Sequence, residues 1–202
     1  LRRVYADRGV IACVVAAKRA VPVIFDSAGA ALALEHGAAH VEEMENGRLQ
    51  LIAIGAYQLM QAQRTAARLR ERGLSVLTTC ILEPGRLRAP RDEFEARVTL
   101  SDDRLRSLFP PALPRVLVTH TRPEIMTGLL RRIDEGPAKF AAHGYISRGG
   151  TLDAMGMLFA NRCTWAHLVQ SAAALLDVPI AELLSVAEEA AVMGRGEPAA
   201  LW

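Results

Sequence analysis

Leu49-Gln50-Leu51-Ile52-Ala53-Ile54-Gly55 is the stretch that decides the fold. The apolar run has the length of a buried strand, and Gly55 marks a tight turn out of it. The next residues change period. Leu59, Ala62, Ala66 and Leu69 recur at helical spacing, while Gln61, Arg64, Arg68 and Glu71 fall outside that stripe. A helix is therefore expected over residues 58–72, ended by Gly73. Residues 74–82 read as another apolar strand. A strand, a covering helix and a second apolar strand predict parallel pairing with both faces covered.

Working outward, the same alternation continues. Residues 11–17 form a continuous apolar run and predict a strand buried on both faces. Asp26 or Ser27 caps a short helix through His36, with Gly37 in the position after its end. Residues 83–97 are a connection rich in Pro, Gly and Arg. Ser101 caps a short helix that stops before Pro110-Pro111. A strand follows at 116–119, a helix at 124–134 and a fifth, weaker strand at 139–145. Helices are expected at 152–160 and 165–176, the second capped by Thr164, and a last one begins at Pro179 and runs through Val192. The tail at 194–202 bears Gly and Pro and is expected to be loose. The expectation is an α/β fold: three α/β/α layers around a mainly parallel five-stranded sheet, one domain over 1–202.

Composition narrows the function classes. Of 202 residues 51% are hydrophobic but only 5% aromatic, so the core is built from Ala, Val, Leu and Ile. A net charge of +2 from dispersed residues does not make a nucleic-acid surface. Arg86, Arg88 and Arg91 could touch an anion but lack interleaved aromatics. Cys13, Cys80 and Cys163 show no CxxC spacing, which points to reduced thiols and no metal site. Glu42-Glu43-Met44-Glu45 lacks calcium-loop spacing and reads as a solvated face. No apolar run reaches membrane-spanning length, and no secretory leader pattern is read from Leu1 onward. The expected setting is cytoplasmic, with neither nucleic acid nor membrane as partner.

Polar residues at strand ends are the site candidates, because open α/β sheets bind ligands outside the carboxyl ends of their strands. The turn Gly55-Ala56-Tyr57-Gln58-Leu59-Met60 has one glycine where a dinucleotide cradle needs Gly-x-Gly-x-x-Gly, so it reads as a tight turn. On residue type alone Lys18 is a solvated strand-end charge, though its ammonium could hold a phosphate. His143 and Tyr145 flank Gly144 at a strand end. They could act as acid, base or hydrogen-bond donor, or close a sheet edge or subunit interface; no triad partner is spaced near them. His120 and Arg122 form a second polar tip, and the two tips could share a rim.

These residues carry a resemblance to the C-terminal domain of the thiamine-diphosphate-dependent phosphoketolases. The run Ile11-Ala12-Cys13-Val14-Val15-Ala16-Ala17-Lys18 followed by Pro22 is similar to a family strand closing in Ala-Ser/Gly-Lys before a Pro. Ala142-His143-Gly144-Tyr145, a Gly149-Gly150-Thr151 turn and a helix reaching Asn161 are similar to the family's His-Gly-Tyr strand end with an Asn at the same distance. The likeness runs from about residue 9 to about residue 178.

The resemblance implies a divergent, transketolase-type C-terminal domain. It would be part of an enzyme that cleaves a ketose phosphate to an acyl phosphate, either as a domain or as a separate subunit. This part would brace a dimer and support the phosphate entrance. Lys18, His120, Arg122, His143, Tyr145 and Asn161 become candidates for substrate phosphate or interface contact. No catalytic residue and no metal ligand is assigned to this chain. Thiamine diphosphate and magnesium belong to the complete enzyme, because the Gly-Asp-Gly…Asn segment that holds them has no match here. The implied partners are a second copy or a thiamine-binding subunit, and a sugar phosphate or phosphate. The sequence departs from the family at His120-Thr121-Arg122, at Leu152-Asp153-Ala154-Met155-Gly156 and at Thr164-Trp165. Transketolases and the β-subunits of 2-oxo-acid dehydrogenases share the architecture but match His143-Gly144-Tyr145…Asn161 less well. The alternative is a non-catalytic module derived from such a domain, binding a partner chain or a small anionic effector.

Overall fold

Strand 49–54 lies at the centre of the sheet. The computed structural model describes residues 13–42, 47–146 and 150–201. In chain order the elements are α1 (Ser27–His36), β1 (Ala38–Glu42), β2 (Leu49–Ile54), α2 (Ala56–Glu71), β3 (Val76–Ile81), α3 (Glu93–Ala96), α4 (Asp102–Leu108), β4 (Arg115–Thr119), α5 (Pro123–Leu129), β5 (Phe140–Gly144), α6 (Ala154–Ala160), α7 (Trp165–Leu176), α8 (Ile180–Leu183) and α9 (Val186–Val192). The five strands lie in the order β1-β3-β2-β4-β5, with β3, β2, β4 and β5 parallel and β1 antiparallel on the edge of β3.

Side-chain alternation builds the layers. Leu49, Leu51 and Ala53 of β2 join Val116 and Val118 of β4 in a core under α2, α7 and α9. Ile52, Ile54 and Leu117 face the other way, against Leu105, Leu108, Leu130 and Ile133 from the β3–β4 and β4–β5 connections. Each fully buried Leu or Ile contributes about 1.5–3 kcal/mol. The fold is the expected α/β sheet with helices on both faces.

Among the described residues five strands are present, but not the five expected. Residues 13–17 carry no strand, and Val14 and Val15 are 71% and 75% exposed; Ile11 and Ala12 lie outside the described residues. The edge place belongs to Ala38–Glu42, entered through Gly37 in the left-handed region (φ 72°). An apolar run signals a demand for burial but does not say which surface meets it. Cys13, placed in a buried strand by sequence, is exposed, whereas Cys80 and Cys163 are buried. Of the acidic cluster, residues 43–45 lie outside the described residues.

Helix ends follow their local chemistry. The Asp26 side chain accepts from Gly29 N–H, Ser101 caps α4, and α7 has the expected bounds. Thr164 sits at the N-cap of α7, but its hydroxyl bonds the His167 ring at 2.7 Å; the N–H of Trp165 is met instead by Gln61 Oε1 at 2.9 Å. Gln61, expected outside, is therefore 4% exposed. The helix expected from Pro179 to Val192 breaks at Leu184-Ser185, where Ser185 and Glu188 form a capping box that starts α9.

The tail is docked rather than loose. Leu201 is fully buried, and its carbonyl accepts from Trp165 Nε1 at 2.9 Å. Arg68 lies over the Trp165 ring at 4.7 Å and makes a bidentate pair with Glu188 at 2.7 Å. The connection arginines are also committed. Arg86 pairs with Glu83 at 2.7 Å, and Arg88 and Arg91 converge on the buried Glu95. They form intramolecular ties rather than a free basic patch.

Candidate functional site

The chain winds from β2 through α2 to β3 on one side, then crosses to β4 on the other. The carboxyl ends of β2 and β4 therefore diverge at a topological switch point, where such folds open a crevice. Register places Ile54 beside Thr119, and Thr119 beside Gly144, so three strand exits stand on one rim.

Two glycines allow these exits to pack. Gly55 has φ 112°, and a Cβ there would meet Gln58 Oε1 at 2.5 Å and His120 Nδ1 at 3.0 Å. At Gly144 a Cβ would run into the Thr121 carbonyl oxygen, with Thr119 Cγ2 at 2.8 Å and Pro123 Cδ at 2.9 Å. The glycine of His143-Gly144-Tyr145 is thus set by backbone approach between β5 and the exit of β4.

The rim carries most of the candidates. His120 Nδ1 donates to the Ile54 carbonyl at 3.1 Å, which fixes that tautomer because a carbonyl only accepts. Tyr145 N–H donates to Thr121 O at 2.9 Å, and Tyr145 is 39% exposed. Asn161 Oδ1 accepts from Ile146 N–H at 2.6 Å while its Nδ2 donates to Met157 O at 2.8 Å. Asn161 therefore fastens the exit of β5 to the end of α6 with both ends of its amide.

His120, Tyr145 and Asn161 line a cavity of about 230 Å³ together with Tyr57 and Gln58 from the start of α2. A second cavity, of about 390 Å³, lies across Asn161 and is lined by His143 and Arg162. His143 Nε2 is hydrogen bonded to Ser171 Oγ at 2.7 Å. Burial, then the Arg162 charge, push His143 down to about 4, against an opposing backbone hydrogen bond with Arg162. A neutral, tethered imidazole of this kind suits a packing role. Arg122 is exposed at the start of α5 and lines neither cavity. Lys18 is exposed in an irregular segment, and no hydrogen bond or ion pair joins it to the rim among the described residues.

Gln58 is a rim residue beyond the strand-end candidates. It is only 9% exposed, and its amide has no hydrogen-bond partner among the described residues. The signal was available: Gln58, Gln61 and Thr65 interrupt the inward face of α2 with polar groups. Gln61 and Thr65 are used to hold α7, which leaves Gln58.

The rim does not fit magnesium and a diphosphate. Among the described residues no group of three His, Cys, Asp or Glu side chains could hold a metal ion, and the cavity at Gln58 carries no carboxylate. Cys163 at its wall is no nucleophile, since burial pushes its thiol up to about 12. No helix among the described residues is long and apolar enough to cross a membrane.

No family model and no curated protein matches this sequence. Solved structures match in fold. Transketolase from Leishmania mexicana aligns with a TM-score of 0.55 over 72% of this chain at 18% identity. A transketolase mutant from Pichia stipitis in complex with xylulose 5-phosphate aligns at 0.51 over 72% with 14% identity, and transketolase from Campylobacter jejuni at 0.50 over 69% with 13%. This chain spans 19%, 18% and 18% of those proteins, respectively. The mainly parallel five-stranded sheet with its antiparallel edge is a transketolase C-terminal-type fold.

Proposed function

We propose that this chain is the C-terminal domain, or an equivalent separate subunit, of a thiamine-diphosphate enzyme with phosphoketolase-type chemistry. The fold likeness to transketolases supports the broad class. The observation that carries the finer reading is the bond from Ile146 N–H to Asn161, which gives the His143-Gly144-Tyr145…Asn161 unit a physical purpose. Spacing between the strand end and the Asn is what lets the amide reach back over the rim.

In this reading the complete enzyme splits a ketose phosphate and passes the two-carbon unit to phosphate as an acyl phosphate. Thiamine diphosphate, when bound, supplies the electron sink for carbon–carbon cleavage. It would be held by a partner domain or subunit. This chain would brace the dimer and present Lys18, His120 and Arg122 to the phosphate entrance, in the cytoplasm.

The test is reconstitution. By calorimetry the chain alone should show no binding of thiamine diphosphate with magnesium. Mixed with a thiamine-binding partner, it should associate and complete the conversion of a ketose phosphate plus phosphate to an acyl phosphate. Saturable micromolar binding of thiamine diphosphate to this chain alone, or a strict monomer that pairs with no such partner, overturns the reading.

A further inference from the structure

We propose that the cavity at the switch point between β2 and β4 is a binding site of this chain's own for a short aliphatic carboxylate. The site stands on its own geometry and does not depend on the thiamine-enzyme reading.

The first ground is the start of α2. The helix is 16 residues long, its N-cap is Gly55, no side chain caps it and its first turn holds no acidic residue. The leading N–H groups of a helix have no intrahelical acceptor, and its positive end favours an anion. The second ground is independent. Gln58 is more than nine-tenths buried, lines the cavity and has no hydrogen-bond partner among the described residues. The amide carries no internal bond, so both of its ends are available to a group that enters the cavity. The ring of His120 lies on the same side of Gly55 as Gln58 Oε1, with Nδ1 already committed to Ile54, so Nε2 is its free nitrogen.

The remaining wall selects the class. Met157 and Leu158 of α6 give an apolar surface, and no Asp or Glu lines the cavity to repel an anion. A carboxylate head would take the α2 N–H groups and the Gln58 amide, and its alkyl chain would lie along Met157 and Leu158. The volume of about 230 Å³ is below the range of drug-sized pockets. At a water's share of about 30 Å³, it suits an acid of roughly six to eight non-hydrogen atoms. Inorganic phosphate would bring its charge but no alkyl chain to this apolar wall.

The experiment uses the full chain with three probes: butyrate, its neutral isostere butyramide, and inorganic phosphate. Binding is followed by calorimetry and by thermal shift. Butyrate should bind saturably at one site, and butyramide and phosphate should each bind weaker by at least about tenfold, as expected for a charge-assisted contact in a site shaped for a chain. Gln58→Leu should melt no lower than the parent, because the lost amide has no partner in the fold, and should lose at least about tenfold in butyrate affinity. Ala154→Leu, on the partly exposed first turn of α6, should obstruct the cavity and give the same loss if Gln58→Leu fails to fold. No saturable butyrate binding at tens of millimolar overturns the proposal. So does phosphate or butyramide binding as tightly as butyrate, or unchanged affinity in both variants.

Discussion

Asn161 Oδ1 accepts the backbone N–H of Ile146 at 2.6 Å, across 15 residues of chain. The Asn161 amide is used up, because Nδ2 donates to Met157 O at 2.8 Å. Its role is to hold the exit of β5 against α6, which forms one wall of the Gln58 cavity. Asn161→Ala should cost about 1–3 kcal/mol, the penalty of leaving a partly buried N–H unmet. Urea unfolding gives the loss, and amide exchange should show faster opening at Ile146 than in the strands. Unchanged stability with unchanged exchange would remove the fastening role.

Gly144 should tolerate no side chain. A Cβ there strikes the Thr121 carbonyl, which is backbone and cannot swing away as a side-chain tip would. Gly144→Ala is expected to lose at least about 1–3 kcal/mol, the range of core overpacking. Gly128 in α5 is the control. Nothing lies within 4 Å of a Cβ built there, so Gly128→Ala should gain about 0.4–1 kcal/mol. Thermal melts of the two variants should move in opposite directions.

Local signals made much of the fold legible. Asp26 and Gly37 bracket α1, Gly73 follows α2, and β2 and β3 have the length and apolarity of buried strands. What escaped reading depends on partners far along the chain. Ala38–Glu42 is five residues of mixed polarity and becomes a strand only because β3 offers it an edge. Residues 13–17 look like a buried strand but find no sheet. Gln50, Gln61 and Arg115 are buried polar residues whose acceptors and donors lie 58, 104 and 65 positions away. At the rim, strand-end logic finds His120 and Tyr145 but not Gln58, which stands on a helix and is marked only by the polar interruptions of the inward face of α2.

Arg115 is the most loaded of those polar residues. It is 1% exposed and donates to Phe109 O at 3.0 Å, Pro110 O at 2.8 Å, Ile133 O at 2.8 Å and Gln50 Oε1 at 3.2 Å. Burial lowers its pKa, opposed by Glu135. Arg115→Met keeps a similar stem but strands several buried acceptors, so a loss of about 3–5 kcal/mol is expected. Chemical denaturation measures it. A loss under about 1 kcal/mol would show that water replaces the guanidinium.

Lys18 should behave in the opposite way. It is exposed and has no hydrogen bond or ion pair among the described residues. Lys18→Met should change stability by less than about 0.5 kcal/mol. In the assembled enzyme proposed above, apparent affinity for sugar phosphate or phosphate should fall by about tenfold or more. A large loss of stability with unchanged kinetics would make Lys18 structural.

His143 and His167 should make the fold acid-sensitive above the carboxylate range. Burial first, then the Arg162 charge, push each down to about 4, and His143 further disfavours the charged form of His167. Unfolded histidine titrates near about 6.5. Above that pH both are neutral in both states, and the stability they permit is fully present. As pH falls from about 6.5 toward about 4, the unfolded chain takes up protons that the folded chain refuses. Stability should then fall by up to about 1.4 kcal/mol per pH unit for each histidine. Glu188, held near 2 by its hydrogen bonds from Arg68, adds its own loss only below the unfolded carboxylate value of about 4.3. The two windows are therefore separable. Urea midpoints measured between about pH 7 and pH 5 should decline for the parent chain and decline less steeply for His167→Gln, whose amide can still meet the Thr164 hydroxyl. A flat profile across that window would mean that the folded imidazoles titrate normally, and that burial beside Arg162 does not keep them neutral.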